Sequence, residues 1–303
     1  GLICGSPHGW QGVLEGRFRV IAVKSGEVRW SPVRSCWLLA NCVGAVFEAV
    51  PTLTCRSFGV FVVTSAVLLC LGFSVGLHRG VIHRSFKTYG WMEMILMLLA
   101  TLNGFGGIIS LSRMHELRDH WQNQSCAPEF YVYRRGPWRD YLWYLHMDYH
   151  GPGRFEPALC RELSRKPLYR FLEKAWLPLA MAFGALLYLI GGWRWVVWGI
   201  CVRVAVCLTG VWLVNYVCHK HGYRSFRLHG CIEEGRNSLL LGVISMGEGW
   251  HNNHHAHPDS AQMGIAWWEL DPGFTCIRIL ERLTLVWDVR TIQDAKPRKG
   301  LYP

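Results

Sequence analysis

Apolar residues in this chain arrive in long blocks separated by polar stretches. Cys36 to Val50 is apolar apart from Asn41 and Glu48, and Phe58 to Leu77 carries no charge. Twenty helical residues rise about 30 Å, the thickness of a bilayer's hydrocarbon core, so 58–77 reads as a membrane span and 36–50 as a shorter one. A Pro/Thr/Arg turn joins the two into a helical hairpin. A third block, Met94 to Leu111, contains Asn103 and glycines at 104, 106 and 107. Beyond a polar region over 112–174, two more spans are predicted at about 175–193 and 196–217, with Arg194 in the turn between them. Arg203 lies inside the last span and requires either snorkelling or an internal partner.

Basic residues mark the cytoplasmic flanks of spans. Segment 78–90, region 112–174 and the stretch after 218 are rich in Arg and Lys, whereas the turns at 51–57 and 193–195 carry one Arg each. The expected fold is therefore an all-α integral membrane protein of four transmembrane helices with both termini cytoplasmic. Regions 112–174 and 218–290 form a cytosolic helical cap. Block 94–111 then lies along or dips into the interface, since crossing would place 78–83 and 112–174 on opposite faces. Residues 1–33 carry no assignable pattern, and Arg17, Arg19, Lys24 and Arg29 interrupt any signal-peptide order.

Composition agrees. The 303 residues are 51% hydrophobic and 17% charged, against about 25% charged in a soluble protein. The net charge of +11 suits an anionic lipid surface or an acidic partner protein. No nucleic-acid-binding motif accompanies it. Twelve cysteines include no CxxC pair, so neither a disulfide framework, a zinc knuckle nor an iron–sulfur site is expected.

The candidate chemistry lies in the 14 histidines. In Gly247-Glu248-Gly249-Trp250-His251-Asn252-Asn253-His254-His255, three imidazoles occupy five positions. On a helix all three enter one small volume, with His254 and His255 splayed by about 100°, as two metals would need. His78 and His83 follow the second span. Their five-residue separation is about 140° on an α-helix, so the helix must end or bend between them, and Gly80 allows that. His115 and Asp119 share a face, with Asp119 a carboxylate ligand, a partner to a ligating imidazole, or an ion-pair partner of Arg113 or Arg118. Asn215 and His219 share a face at the end of the last span. His120 is expected to be structural; His8, His146, His150, His221, His229 and His257 are read as surface or hydrogen-bonding residues. The expected topology brings His78, His83, His115, His219, His251, His254 and His255 to one membrane face. Imidazole-rich donors with few carboxylates favour iron, with zinc also open. A metal centre beside acyl chains suits oxidation of a hydrocarbon with O₂.

These motifs resemble the membrane-bound fatty acyl desaturases, specifically stearoyl-CoA (Δ9) desaturase-like members of bacterial type. His78-Arg-Gly-Val-Ile-His83-Arg-Ser-Phe is similar to the family's first histidine box. Asn215-Tyr-Val-Cys-His219 followed by Gly222-Tyr223-Arg224 resembles its fourth-span exit, and Gly247–His255 its last box. The likeness covers about 34–290, leaving 1–33 as an N-terminal segment and 291–303 as a tail. The resemblance implies a di-iron site held by the seven histidines, Asn215 reaching a metal through water, and O₂ as co-substrate. The second box departs from the family's His-x-x-His-His. His115 keeps its first position, Arg118 and Asp119 take the others, and only Asp119 can ligate a metal.

The predicted activity is oxygen-dependent desaturation of a saturated acyl chain carried on CoA or in a lipid. A separate ferredoxin-like or cytochrome-like donor supplies electrons, and the expected location is the bacterial inner membrane. The alternatives are a di-iron acyl or lipid hydroxylase and a non-catalytic membrane protein that binds metal or lipid. A hydrolase is disfavoured because the chain has no Gly-x-Ser-x-Gly elbow. A transporter is disfavoured because the histidines lie outside the strongest spans.

Overall fold

The computed structural model describes residues 27–122, 127–150, 156–228, 234–298 and 301–302. Its helices are α1 (Pro32–Glu48), α2 (Cys55–Ile82), α3 (Gly90–Leu102), α4 (Ile108–Gln122), α5 (Pro137–His146), α6 (Ala158–Leu163), α7 (Pro167–Gly191), α8 (Trp193–Val217), α9 (Leu239–Ile244), α10 (His251–Ala256) and α11 (Pro272–Arg282). Three of them, α2, α7 and α8, are long and apolar enough to cross a membrane. Each starts before the expected span, and α2 also continues past its expected end. The expected first span is α1, whose 17 residues rise about 25 Å.

Helix α2 starts at a capping box in which Thr54 and Ser57 satisfy each other's backbone N–H groups. From Ala66 to Ile82 it is wound as a π-helix, with i→i+5 bonds that continue to His83 N on His78 O at 3.0 Å. The helix therefore does not break at Gly80, as the α-helical angle required. Five residues close about one turn, and His78 and His83 come to the same side. The chain turns just beyond, with Arg84 at φ 50°.

Block 94–111 is two helices. Gly104 and Gly106 take φ of 73° and 137°, conformations that only glycine adopts readily, and they separate α3 from α4. Arg203 is the physical complement of this break. Its guanidinium donates to Asn103 O and Leu102 O at 3.1 Å each, and its Nε donates to Gly199 O at 2.7 Å. A buried cation thus sits on the orphan carbonyls at the C-terminus of α3, where the helix dipole favours it. The internal partner required of Arg203 is a helix end. At the other side of the break, Glu173 of α7 accepts from Ile109 N at 2.8 Å and Ser110 N at 3.1 Å, capping α4.

Helices α2 and α3 pack backbone to backbone: a Cβ on Gly72 would lie 2.5 Å from Ala100 N. The main core joins them to α4, α6 and α7 through Leu77, Val81, Leu96, Met97, Ile108, Leu163 and Leu172. A second core joins α1, α5 and α8 through Leu38, Leu145, Trp212 and Tyr216. Val46 and Phe47 of α1 and Leu189 and Ile190 of α7 project outward, exposing apolar surface of the kind lipid would cover.

Among the described residues, three short antiparallel pairs accompany the helices. Strand β1 (Glu27–Trp30) pairs with β3 (Met147–His150), so the end of the unassigned segment joins the region after α5. Residues 1–26, with His8, lie outside the described residues, as does His229. Strand β2 (Lys87–Thr88) pairs with β5 (Val286–Trp287), and β4 (Arg227–Leu228) with β6 (Leu301–Tyr302).

Candidate metal centre

The seven histidines gather into two adjacent groups. His78, His83, His115 and His254 form one; His219, His251 and His255 form the other. Within each group the donor atoms lie within 4.8 Å of one another. Nε2 of His83 is 3.2 Å from that of His78 and 2.8 Å from that of His115; Nε2 of His251 and His255 are 3.0 Å apart. Two nitrogens at right angles, each about 2.1 Å from one ion, would stand roughly 3.0 Å apart. In addition, His219 Nε2 and His254 Nδ1 are buried without a hydrogen-bond partner. Converging, orphaned imidazole nitrogens fit a metal and have no comparable role in a hydrogen-bonded core.

Helix α10 serves both groups from one short turn. His254 faces the first group, while His251 and His255, four apart, face the second. Asn252 and Asn253 point the other way and fix the turn. Asn252 Oδ1 accepts from Ser225 N and Phe226 N, both at 2.8 Å. Asn253 Nδ2 donates to Met263 O at 2.8 Å and to Glu269 at 2.9 Å, and Asn237 Nδ2 donates to Asn253 Oδ1 at 2.8 Å.

Burial favours the neutral imidazole, the form that ligates. It drives His83, His219, His254 and His255 well below the ordinary histidine value, assisted by neighbouring imidazoles. His251 is pushed down to about 4, mainly by burial. Orientation comes from the groups behind the rings. His219 Nδ1 donates to Asn215 O at 2.7 Å, leaving Nε2 for a ligand. His78 Nδ1 stands 2.6 Å from Glu248 Oε2, a charge contact outside hydrogen-bond geometry, and Glu248 accepts from Ser74 Oγ.

Glu248 and its support were not singled out in the sequence, although Glu248 stands three residues before His251. The support is Arg79, fully buried, which bonds Asp271 Oδ2 at 3.1 Å, Ala261 O at 2.7 Å and Met246 O at 3.0 Å. Asp271 in turn caps α11 through Phe274 N. A lone Arg between two histidines offers no spacing signal for such a role.

Asp119 places a carboxylate oxygen 3.6 Å from His115 Nε2. Burial opposes its charge, yet His115, Arg298, His83 and His78 together hold its carboxyl below the ordinary value. Arg118 points elsewhere: it donates to Tyr133 Oη and lies over the Tyr144 ring, 4.5 Å from its centre. Asn215 receives Tyr133 Oη at 3.3 Å and donates to Val211 O at 2.8 Å. His146 bonds Ser35 Oγ at 2.9 Å, and His221 is exposed. His257, read as a surface or hydrogen-bonding residue, is instead buried against Phe226, with Nδ1 lacking a hydrogen-bond partner.

Both groups open on a cavity of about 1800 Å³. His78, His115, His251 and His255 share its wall with Asn215, and Phe61, Leu69, Phe73 and Val206 line an apolar part between α2 and α8. Arg34, Arg113, Asp148 and Glu156 supply a polar part.

A model of the fatty acid desaturase family matches residues 57–278. The chain is 33% identical, over 87% of its length and 94% of the relative's, to the sn-1 stearoyl-lipid 9-desaturase of Anabaena variabilis. It is 34% identical to the Delta-9 acyl-lipid desaturase 2 of Arabidopsis thaliana, over 76% of this chain and 73% of that one. It is 31% identical to the acyl-CoA C20 Delta5-desaturase of Anemone leveillei, over 82% and 78% respectively.

Proposed function

The chain belongs to the fatty acid desaturase family, and from that premise we propose that it introduces a Δ9 double bond into a saturated acyl chain of a membrane lipid. The observation that carries this reading is the single cavity that joins an apolar channel between helices to both histidine groups. The names of the Anabaena and Arabidopsis relatives support the lipid carrier and the position. The Anemone relative, named for acyl-CoA, makes the CoA thioester the carrier to test against it.

In this reading the seven histidines hold two irons, with Asp119 as a further ligand in the first group. Bound iron supplies the O₂ chemistry that takes two hydrogens from adjacent carbons. The protein does the rest. Glu248 stands behind the His78 ring, Asn215 O fixes that of His219, and the apolar walls receive the acyl chain beside both groups while excluding water. Asn215 acts at the second group through an intervening water. Helix α1 is the fourth span, joined to the three longer helices, and the histidines face the cytoplasm of a bacterial inner membrane. Residues 112–174 and 218–290 form the cap. The basic cap receives a separate acidic electron carrier, so turnover falls as ionic strength rises.

Expression in a bacterium lacking oxygen-dependent desaturases, followed by gas chromatography–mass spectrometry of lipid and CoA fractions, tests this. New monoenes that need O₂, arise in the lipid fraction and vanish with His255→Ala support the reading. Monoenes arising first in acyl-CoA overturn the carrier. Hydroxylated chains overturn the reaction.

A further inference from the structure

We propose that the two histidine groups are unequal metal sites: a strong one at His78, His83, His115 and His254, and a weak one at His219, His251 and His255 whose affinity is held down by Arg118. The inference rests on the metal reading above.

The first contrast is in donors. The strong group offers four imidazoles and the weak group three, among the described residues. The second is in charge. Two carboxylates attend the strong group: Asp119, 3.6 Å from His115 Nε2, and Glu248, 2.6 Å from His78 Nδ1. An anion in or behind the donor set raises ligand basicity and favours a dication. Among the described residues no carboxylate stands in the corresponding place of the weak group. His219 Nδ1 meets a backbone carbonyl, and Arg298 touches both groups, 3.5 Å from His255 Nδ1 and 3.4 Å from Asp119 O, so it does not separate them. His251 stands beside His254 of the strong group, ring centroids 6.1 Å apart, so the deficit falls on His219 and His255.

Arg118 completes the contrast. It lies one turn beyond His115 on α4 and is buried, 7% exposed. Its guanidinium cannot lose its proton, so it places a permanent positive charge in the wall. That charge bonds Tyr133 Oη, and the Tyr133 ring stacks on His219 with centroids 4.5 Å apart. A dication at His219 would therefore face a fixed cation across one aromatic ring, in surroundings that screen little.

The test is metal titration of the full chain in lipid nanodiscs, stripped with a chelator and loaded anaerobically with Co(II). Site occupancy is followed by the visible Co(II) absorption and by metal analysis after desalting. The wild type should fill in two steps at least about 10-fold apart, since loss of one outer partner alone weakens a site roughly 10–100-fold. One Co(II) per chain should survive desalting. His115→Ala should weaken the strong step, while His219→Ala should leave it intact and abolish the weak one. Arg118→Gln removes the charge and should strengthen the weak step, bringing the two steps closer together. Arg118→Leu, which also lacks the charge, serves if Arg118→Gln does not fold. Two steps of equal affinity in the wild type, a strong step lost with His219→Ala, or a weak step unchanged in a folded Arg118 variant would overturn the proposal. Failure of the wild type to bind any metal would overturn the metal reading itself.

Discussion

Glu248 is where the account of the metal centre is most exposed to experiment. Its carboxylate stands 2.6 Å from His78 Nδ1, is bonded by Ser74 Oγ and lies 3.7 Å from Arg79 Nε. A carboxylate behind an imidazole keeps the proton on Nδ1, frees Nε2 and strengthens it as a donor. Glu248→Ala removes all three effects. Glu248→Gln keeps an acceptor but loses the charge, and its amide can also rotate to donate and so favour the wrong tautomer. Losses of this kind weaken metal binding by about 10–100-fold, or roughly 1.4–2.8 kcal/mol. The expected order of affinity is wild type, then Gln, then Ala, with the larger effect on the step assigned to His78. Arg79 keeps Asp271, Ala261 O and Met246 O, so the fold should survive. Competition against a chromophoric chelator measures the affinities, and thermal melting of the metal-free variants checks folding. A folded Glu248→Ala protein with wild-type affinity would refute the argument that this carboxylate tunes the site.

Three further outcomes are expected. Because burial lowers His83, His219, His251, His254 and His255, the unfolded chain binds more protons than the folded one below about pH 6.5. The metal-free protein should thus lose melting temperature as pH falls from 7 to 5; a flat profile would contradict the neutral, buried cluster. Arg203→Leu should leave the carbonyls of Leu102 and Asn103 unpaired at a cost of about 1–3 kcal/mol each, seen as a lower melting temperature in detergent. An unchanged melting temperature would mean that the C-terminus of α3 is satisfied without it. Glu173→Ala should uncap α4, which carries His115, with a loss of about 1 kcal/mol; equal stability would count against the capping role.

Much of this was legible because membrane helices and metal sites leave strong local signals. Long apolar runs marked α2, α7 and α8, and the histidine spacing marked the residues that the fold gathers into two groups. What escaped depended on winding and on contacts distant in sequence. An angle of about 140° per five residues holds only for α-helix, and the π-wound end of α2 removes the conflict between His78 and His83. Glycines at 104 and 106 were read as features of one interfacial helix, but their positive φ divides it, and the division gives Arg203 its partners. Arg118 was visible as a departure from the family's box. That its charge reaches His219 through Tyr133 is a tertiary fact, joining residues on α4, the segment before α5 and the end of α8.

The most direct test of desaturation uses the chain reconstituted in lipid vesicles with saturated acyl lipid, a reducing donor and ¹⁸O₂. Mass spectrometry of the released fatty acid distinguishes the reactions. The account predicts a product that has lost two hydrogens between C9 and C10 and carries no ¹⁸O, and that is absent with His255→Ala. A product with one hydrogen replaced by an ¹⁸O-labelled hydroxyl would contradict it.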